Sequence, residues 1–186
     1  MGDLYRVERP ADASRLWSRY AEGYLDAAKK LLVPGLVEYD VIVGDATWPG
    51  LYCLRHGLEL RLKAIGAAWV GSGRAADTGI DWRNQNRHSL VQTWDDLLAL
   101  LEHRFETDIK NDPGTMEQAR KDLELIDTID RGGTLFRYPT DQSGQVRDEL
   151  TTGIDLAELI DAMSRLDDLL RAMHGVVDWH PNDPNF

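Results

Sequence analysis

Apolar residues recur every three to four positions through most of this chain, with charged and amide side chains between them, and that period predicts helices. The first runs from about Ser14 to Leu32. Leu16, Trp17, Tyr20, Tyr24, Ala27, Leu31 and Leu32 form its stripe, Asp12 or Ser14 its cap, and Pro34-Gly35 its stop. A second begins after Thr47, takes Pro49 into its first turn and ends near Gly71-Ser72-Gly73. Its stripe of Leu51, Leu54, Leu58, Leu62 and Ile65 makes it the helix expected at the centre. The third extends from His88 to about Phe105, with Leu90, Trp94, Leu97, Leu98, Leu101 and Phe105 on one face.

Thr115 with Gln118 three residues on has the capping-box pattern and predicts the start of a fourth helix, closed by Gly132-Gly133. Met116, Ala119, Leu123 and Ile126 make its stripe. Asp155 with Glu158 repeats the pattern, opening a last helix that runs to Gly175 over Leu156, Leu159, Ile160, Met163, Leu166, Leu170 and Met173. Two polar connections interrupt the series, Gly71 to Arg87 and Gly133 to Gly153. Within the second, Thr134 to Asp141 reads as an extended stretch entering a turn, and Trp179 to Phe186 as an extended tail. The expectation is an all-α, up-and-down bundle of four to five helices with a polar insertion before the last, one domain over residues 1–186.

Composition narrows this further. At 186 residues and 42% hydrophobic the chain can bury a single substantial core, and no apolar run approaches the roughly 18 residues of a membrane span. No signal-peptide pattern opens it, and the lone Cys53 falls inside the central helix as a small hydrophobe. A soluble, cytoplasmic protein is expected. The net charge of -11 disfavours phosphate tracts and anionic membranes. Residues 46–88 stand apart: Arg55, Arg61, Lys63, Arg74, Arg83 and Arg87 outnumber Glu59, Asp77 and Asp81, leaving +3 there and -14 elsewhere. That segment reads either as a solvated charge run or as a local anion-binding face.

The same segment holds the polar groups that ask for a reason. His56, Glu59 and Lys63 line up at i, i+3 and i+7 beside the leucine stripe. As a site, Glu59 would hold the tautomer of His56 while Lys63 neutralises a phosphate or orients a base. As structure, Arg55 with Glu59 and Glu59 with Lys63 are i, i+4 ion pairs. Arg137 and Tyr138 pose a like choice between anchoring the bundle and lining a pocket.

The run His56-Gly57-Leu58-Glu59-Leu60-Arg61-Leu62-Lys63-Ala64, then Arg87-His88-Ser89-Leu90 opening a helix with Trp94 and Leu97, then Phe136-Arg137-Tyr138-Pro139 and a helix beginning Ile154-Asp155-Leu156, resembles the HEPN superfamily of prokaryotic helical domains over roughly Pro49 to His174. The resemblance implies a four- or five-helix bundle, often a homodimer, in toxin-antitoxin and antiviral defence systems. Many members are metal-independent ribonucleases whose Arg and His meet across the dimer interface; others bind or scaffold without catalysis. Arg83-Asn84-Gln85-Asn86-Arg87-His88 fits the catalytic spacing. Cleaving RNA without a metal needs proton transfer and a cation for the developing phosphorane charge. His88 suits the first, Arg83 or Arg87 the second. The other reading makes the His88 ring a cap on the amides at its helix start.

Other chemistries find no residues. His103, His174 and His180 are isolated, so no zinc ligand set is expected, and no cofactor motif occurs. Asp122, Asp127 and Asp130 read as a solvated acidic face. The acidic charge favours a non-catalytic module that dimerises and binds a protein, nucleotide or RNA, with His56, Glu59, Lys63, Arg87, Arg137 and Tyr138 as binding residues. The alternative is a metal-independent endoribonuclease using Arg83 and His88.

Overall fold

A computed structural model of the chain describes residues 13–38, 46–71, 80, 82, 88–130, 133, 135–138, 143–145 and 155–179, with the backbone alone at 13, 34–38, 102–111, 178 and 179. Arg83, Arg87, the tail 180–186 and most of both polar connections lie outside the described residues. Five helices follow in order among the described residues: α1 Ala13–Glu38, α2 Thr47–Gly71, α3 Leu90–Asn111, α4 Pro113–Ile129 and α5 Leu156–Trp179. Among the described residues there is no strand, and the architecture is an all-α bundle. No helix among the described residues is long and apolar enough to cross a membrane.

α2 is central, as its composition predicts. It touches α1, α3 and α5, while α4 packs on α3 and α5, and α1 closes the ring on α5. Leu51, Leu54, Leu58, Leu62 and Ile65 are all buried in one core with Leu25, Leu32, Trp94, Leu123, Met163 and Leu166. Burial of a side chain of this size stabilises the fold by about 1.5–3 kcal/mol.

The tightest seam joins α1 to α2. A Cβ placed on Gly57 would fall 2.9 Å from Leu25 Cγ, and one on Gly50 would fall 2.6 Å from Leu32 Cδ2. Leu25 against Gly57 and Leu32 against Gly50 advance by one heptad in opposite directions, so the two helices run antiparallel. This seam corrects the expected α1 stripe. The buried line is Ala21, Leu25, Ala28 and Leu32, and Tyr20, expected inside, is exposed. Small and single-branched residues fit where backbones approach closely, and a phenol does not.

Helix ends depart from the sequence reading at several points. α1 runs through Pro34-Gly35 to Glu38, since an internal proline removes one backbone hydrogen bond and need not end a helix held by packing. α3 starts at Leu90, which leaves His88 ahead of the helix, and it runs on to Asn111. The α4 cap is Asp112, not Thr115: its carboxylate accepts from the Thr115 amide at 3.2 Å, with Pro113 in the first turn. Gln118 instead donates to Asp122 at 2.9 Å. Asp155 caps α5 as expected, accepting from the Glu158 amide at 3.0 Å, and the helix continues past Gly175.

The acidic face expected at Asp122, Asp127 and Asp130 is not solvated; all three are buried. Arg165 clamps Asp122 with Nε at 2.9 Å and Nη2 at 2.7 Å. A buried carboxylate persists only when paired and hydrogen-bonded, and each of these has its cation or its amides. The expected extended stretch also differs: residues 135–137 form a turn, with Leu135 and Phe136 buried. Asp130 makes that turn by accepting from the amides of Leu135 at 3.0 Å and Phe136 at 3.4 Å.

Candidate functional site

Two turns of α2 carry a charged core. Arg55 and Lys63 lie one turn before and after Glu59, and the expected i, i+4 pairs form: Arg55 Nη1 to Glu59 Oε2 at 3.0 Å, Lys63 Nζ to Glu59 Oε1 at 2.8 Å. Neither pair is at the surface. All three side chains are buried, so each needs the others. Burial pushes the Glu59 carboxyl upward, but the Lys63 hydrogen bond and the charges of Lys63 and Arg55 outweigh it and hold the group below the usual carboxylate range.

Arg55 ties these turns to the rest of the bundle. Its Nε donates to the Asp130 carbonyl at 2.7 Å, and its Nη2 donates to the His88 carbonyl and faces Asp127 Oδ1 at 3.5 Å. One guanidinium thus fixes α2, the residue ahead of α3 and the end of α4, using the fork geometry that lysine lacks. Gly133 lies against it with φ 66°, where a Cβ would sit 3.0 Å from Arg55 Nη1.

His88 emerges from this core. Its Nδ1 faces Glu59 Oε1 at 3.3 Å while 45% of its side chain remains exposed. The ring does not cap α3. Ser89 Oγ accepts from the Gln92 amide at 3.2 Å, and Asp127 receives Ser89 Oγ at 2.7 Å and the Leu90 amide at 3.2 Å. With those amides satisfied by others, the imidazole stands as an oriented, half-open group whose Nε2 is turned from the carboxylate.

The aligned triad therefore divides. Glu59 joins Lys63, but His56 turns to a second cluster, stacking on Tyr52 at 5.5 Å between ring centroids with 9° between planes. Tyr24 of α1 meets His56 edge-on at 4.7 Å. Burial pushes the His56 pKa below its ordinary value; Glu59 pulls it up, and Arg137, Arg55 and Lys63 push it further down. A neutral imidazole with an aromatic face results. Arg137, exposed in the turn after α4, holds its guanidinium carbon 5.2 Å from the Tyr52 ring centroid and donates from Nη2 to the Tyr52 hydroxyl at 3.4 Å. Tyr138 beside it is 54% exposed. Arg137 and Tyr138 thus face outward rather than into the bundle.

Burial also changes the picture of a basic face. Of the six cations between residues 46 and 88, the structure describes Arg55, Arg61 and Lys63, and all are buried. Arg61 points toward α1 and α5, where Nη1 donates to Ser18 Oγ at 3.1 Å. The groove between α3 and α4 is closed to an anion by its own pairs, since Arg120 bonds both Asp95, at 3.0 Å, and Glu124. No family model, curated protein or solved structure matches this chain.

Sequence reasoning did not find Asp127, Asp130, Ser89, Tyr24 or Tyr52 as parts of this region. Tyr52 alone left a local signal, standing one turn before His56. The rest come from other segments of the chain, and only packing brings them near.

Proposed function

We propose that the chain is a HEPN-like helical module, working as a homodimer, that binds RNA or a nucleotide in a bacterial defence or toxin-antitoxin setting without cleaving it. The observation that carries this reading is His88, half exposed and held at Nδ1 by buried Glu59 at 3.3 Å. An imidazole fixed in this way offers Nε2 to a ribose hydroxyl or phosphate in one orientation. Binding without cleavage is favoured by the cations described beside it: Arg55 and Lys63 are both committed to Glu59, so neither is placed to take up charge developing on a phosphorane. The lone cysteine and the lack, among the described residues, of any helix suited to a membrane fit a cytoplasmic protein.

A second reading has its own support. A carboxylate-oriented imidazole is also what a general base requires, so a metal-independent endoribonuclease using His88 with Arg83 remains the alternative, Arg83 lying outside the described residues. One experiment addresses both: purified protein and His88→Ala are incubated with a labelled single-stranded RNA in EDTA, and binding and cleavage are scored together. Binding without cleavage, weakened in His88→Ala, is the expected result. Cleavage lost in His88→Ala supports the ribonuclease, and no binding by the wild type refutes the RNA reading. Light scattering at twice the monomer mass checks the dimer.

A further inference from the structure

We infer that Arg137 and Tyr138, backed by the stacked rings of Tyr52 and His56, form a subsite for one nucleotide unit, with the exposed Tyr138 ring stacking an unpaired base and Arg137 holding its phosphate. The inference rests on the nucleic-acid reading above and adds where a base is recognised. Three features carry it. First, the Tyr52 and His56 rings lie nearly parallel, 9° apart, with Tyr24 braced edge-on against His56 at 4.7 Å. Successive turns of one helix present them, so the pair is ordered before any ligand arrives, which reduces the entropy lost on binding. Second, among the described residues no carboxylate pairs with Arg137. It is held by phenols, the Tyr52 hydroxyl at 3.4 Å and the Tyr138 hydroxyl, and by the face of the Tyr52 ring. Such contacts position a guanidinium without neutralising it, and its charge stays available for bidentate phosphate binding.

Third, the charges limit what the subsite can take. Among the described residues Arg137 is the one cation in contact with these rings, in a chain of net charge -11. A tract of phosphates would gain one contact and meet repulsion elsewhere, whereas a single nucleotide gains the stacking and the one phosphate contact. Affinity should then depend weakly on salt, with a logarithmic slope of about -0.7 for one phosphate on a single strand. Base stacking on aromatic side chains is tolerant of base identity, since every base has a π-face.

The free nucleotide and the unpaired RNA residue share this chemistry, and the test separates them. Wild type, Tyr138→Ala and Arg137→Gln, both exposed positions, are checked for unchanged far-UV circular dichroism. Each is titrated with adenosine 5'-monophosphate, with adenosine, and with a labelled ten-residue oligoadenylate. Tyr138→Ala is expected to weaken all three about 5- to 100-fold. Arg137→Gln is expected to weaken the monophosphate and the oligonucleotide and spare adenosine. Binding of both phosphorylated probes identifies a free-nucleotide subsite, and binding of the oligonucleotide alone identifies the RNA strand as the source. Oligonucleotide binding that His88→Ala weakens and neither variant here changes overturns the subsite and leaves the functional reading standing; no binding of any probe overturns both.

Discussion

Replacing Glu59 by glutamine keeps the side-chain shape and removes the charge to which buried Lys63 is bonded at 2.8 Å. Lys63 is 5% exposed and would be left as a buried ammonium facing an amide. Breaking a buried pair from one side costs about 3–5 kcal/mol, because the remaining ion keeps its desolvation penalty. Lys63→Met is a different perturbation. Glu59 then retains Arg55 at 3.0 Å, and an apolar side chain of similar length replaces the ammonium, so the loss should be only about 1 kcal/mol. The double variant should be more stable than Glu59→Gln alone, by roughly 1–3 kcal/mol, since it removes the orphaned charge. For a chain of this length each kcal/mol moves the melting temperature by about 2–4 °C, and total stability is about 5–15 kcal/mol, so the differences are readable. Urea unfolding followed by circular dichroism gives the free energies, with equal slopes required of all four proteins. A Lys63→Met loss as large as that of Glu59→Gln, or a double variant that merely sums the two, would show that the pair is not held as argued.

Three further outcomes are expected. Gly66→Ala places a Cβ 2.2 Å from the buried Trp82 ring, and a loss of about 1–3 kcal/mol with altered tryptophan fluorescence should follow; an unchanged spectrum and midpoint would contradict the contact. Gly133→Ala combines a left-handed backbone, φ 66°, with crowding of Arg55, and should lose at least about 1–2 kcal/mol in the same urea assay, whereas Gly144→Ala has only the backbone strain and should lose less. Acid should act in two windows. The folded pKa of His56 is depressed, so its contribution is complete above about pH 6.5 and is lost as pH falls from there toward the folded value. The folded pKa values of Glu59 and of Asp167, a buried carboxylate of α5 whose burial is outweighed by its pairs with Lys29 at 2.7 Å and Arg171 at 3.0 Å, are also depressed, so their contributions are complete above about pH 4.3 and are lost below it. Urea midpoints from pH 8 to 3 test this, and His56→Gln should flatten the upper window alone.

The sequence by itself determined the helices and the central place of α2, because a leucine stripe at helical spacing has to be buried wherever the helix goes. It also made the Arg55, Glu59 and Lys63 pairs legible, since i, i+4 neighbours meet on any helix. Tertiary structure decided the rest. Whether those pairs face water or the core depends on what α3 and α4 lay over them, and Asp127 and Asp130 become buried partners only because Arg55 of another helix reaches them. The α1 face was misread because two adjacent stripes, one through Tyr20 and Tyr24 and one through Ala21, Leu25, Ala28 and Leu32, both repeat at helical spacing, and only the close approach of Gly50 and Gly57 selects the leucine side. His88, Tyr24 and Arg137 reach α2 from three separate segments. No periodicity along one chain records which of them will stand beside His56 and which beside Glu59, since that is set by how the helices pack.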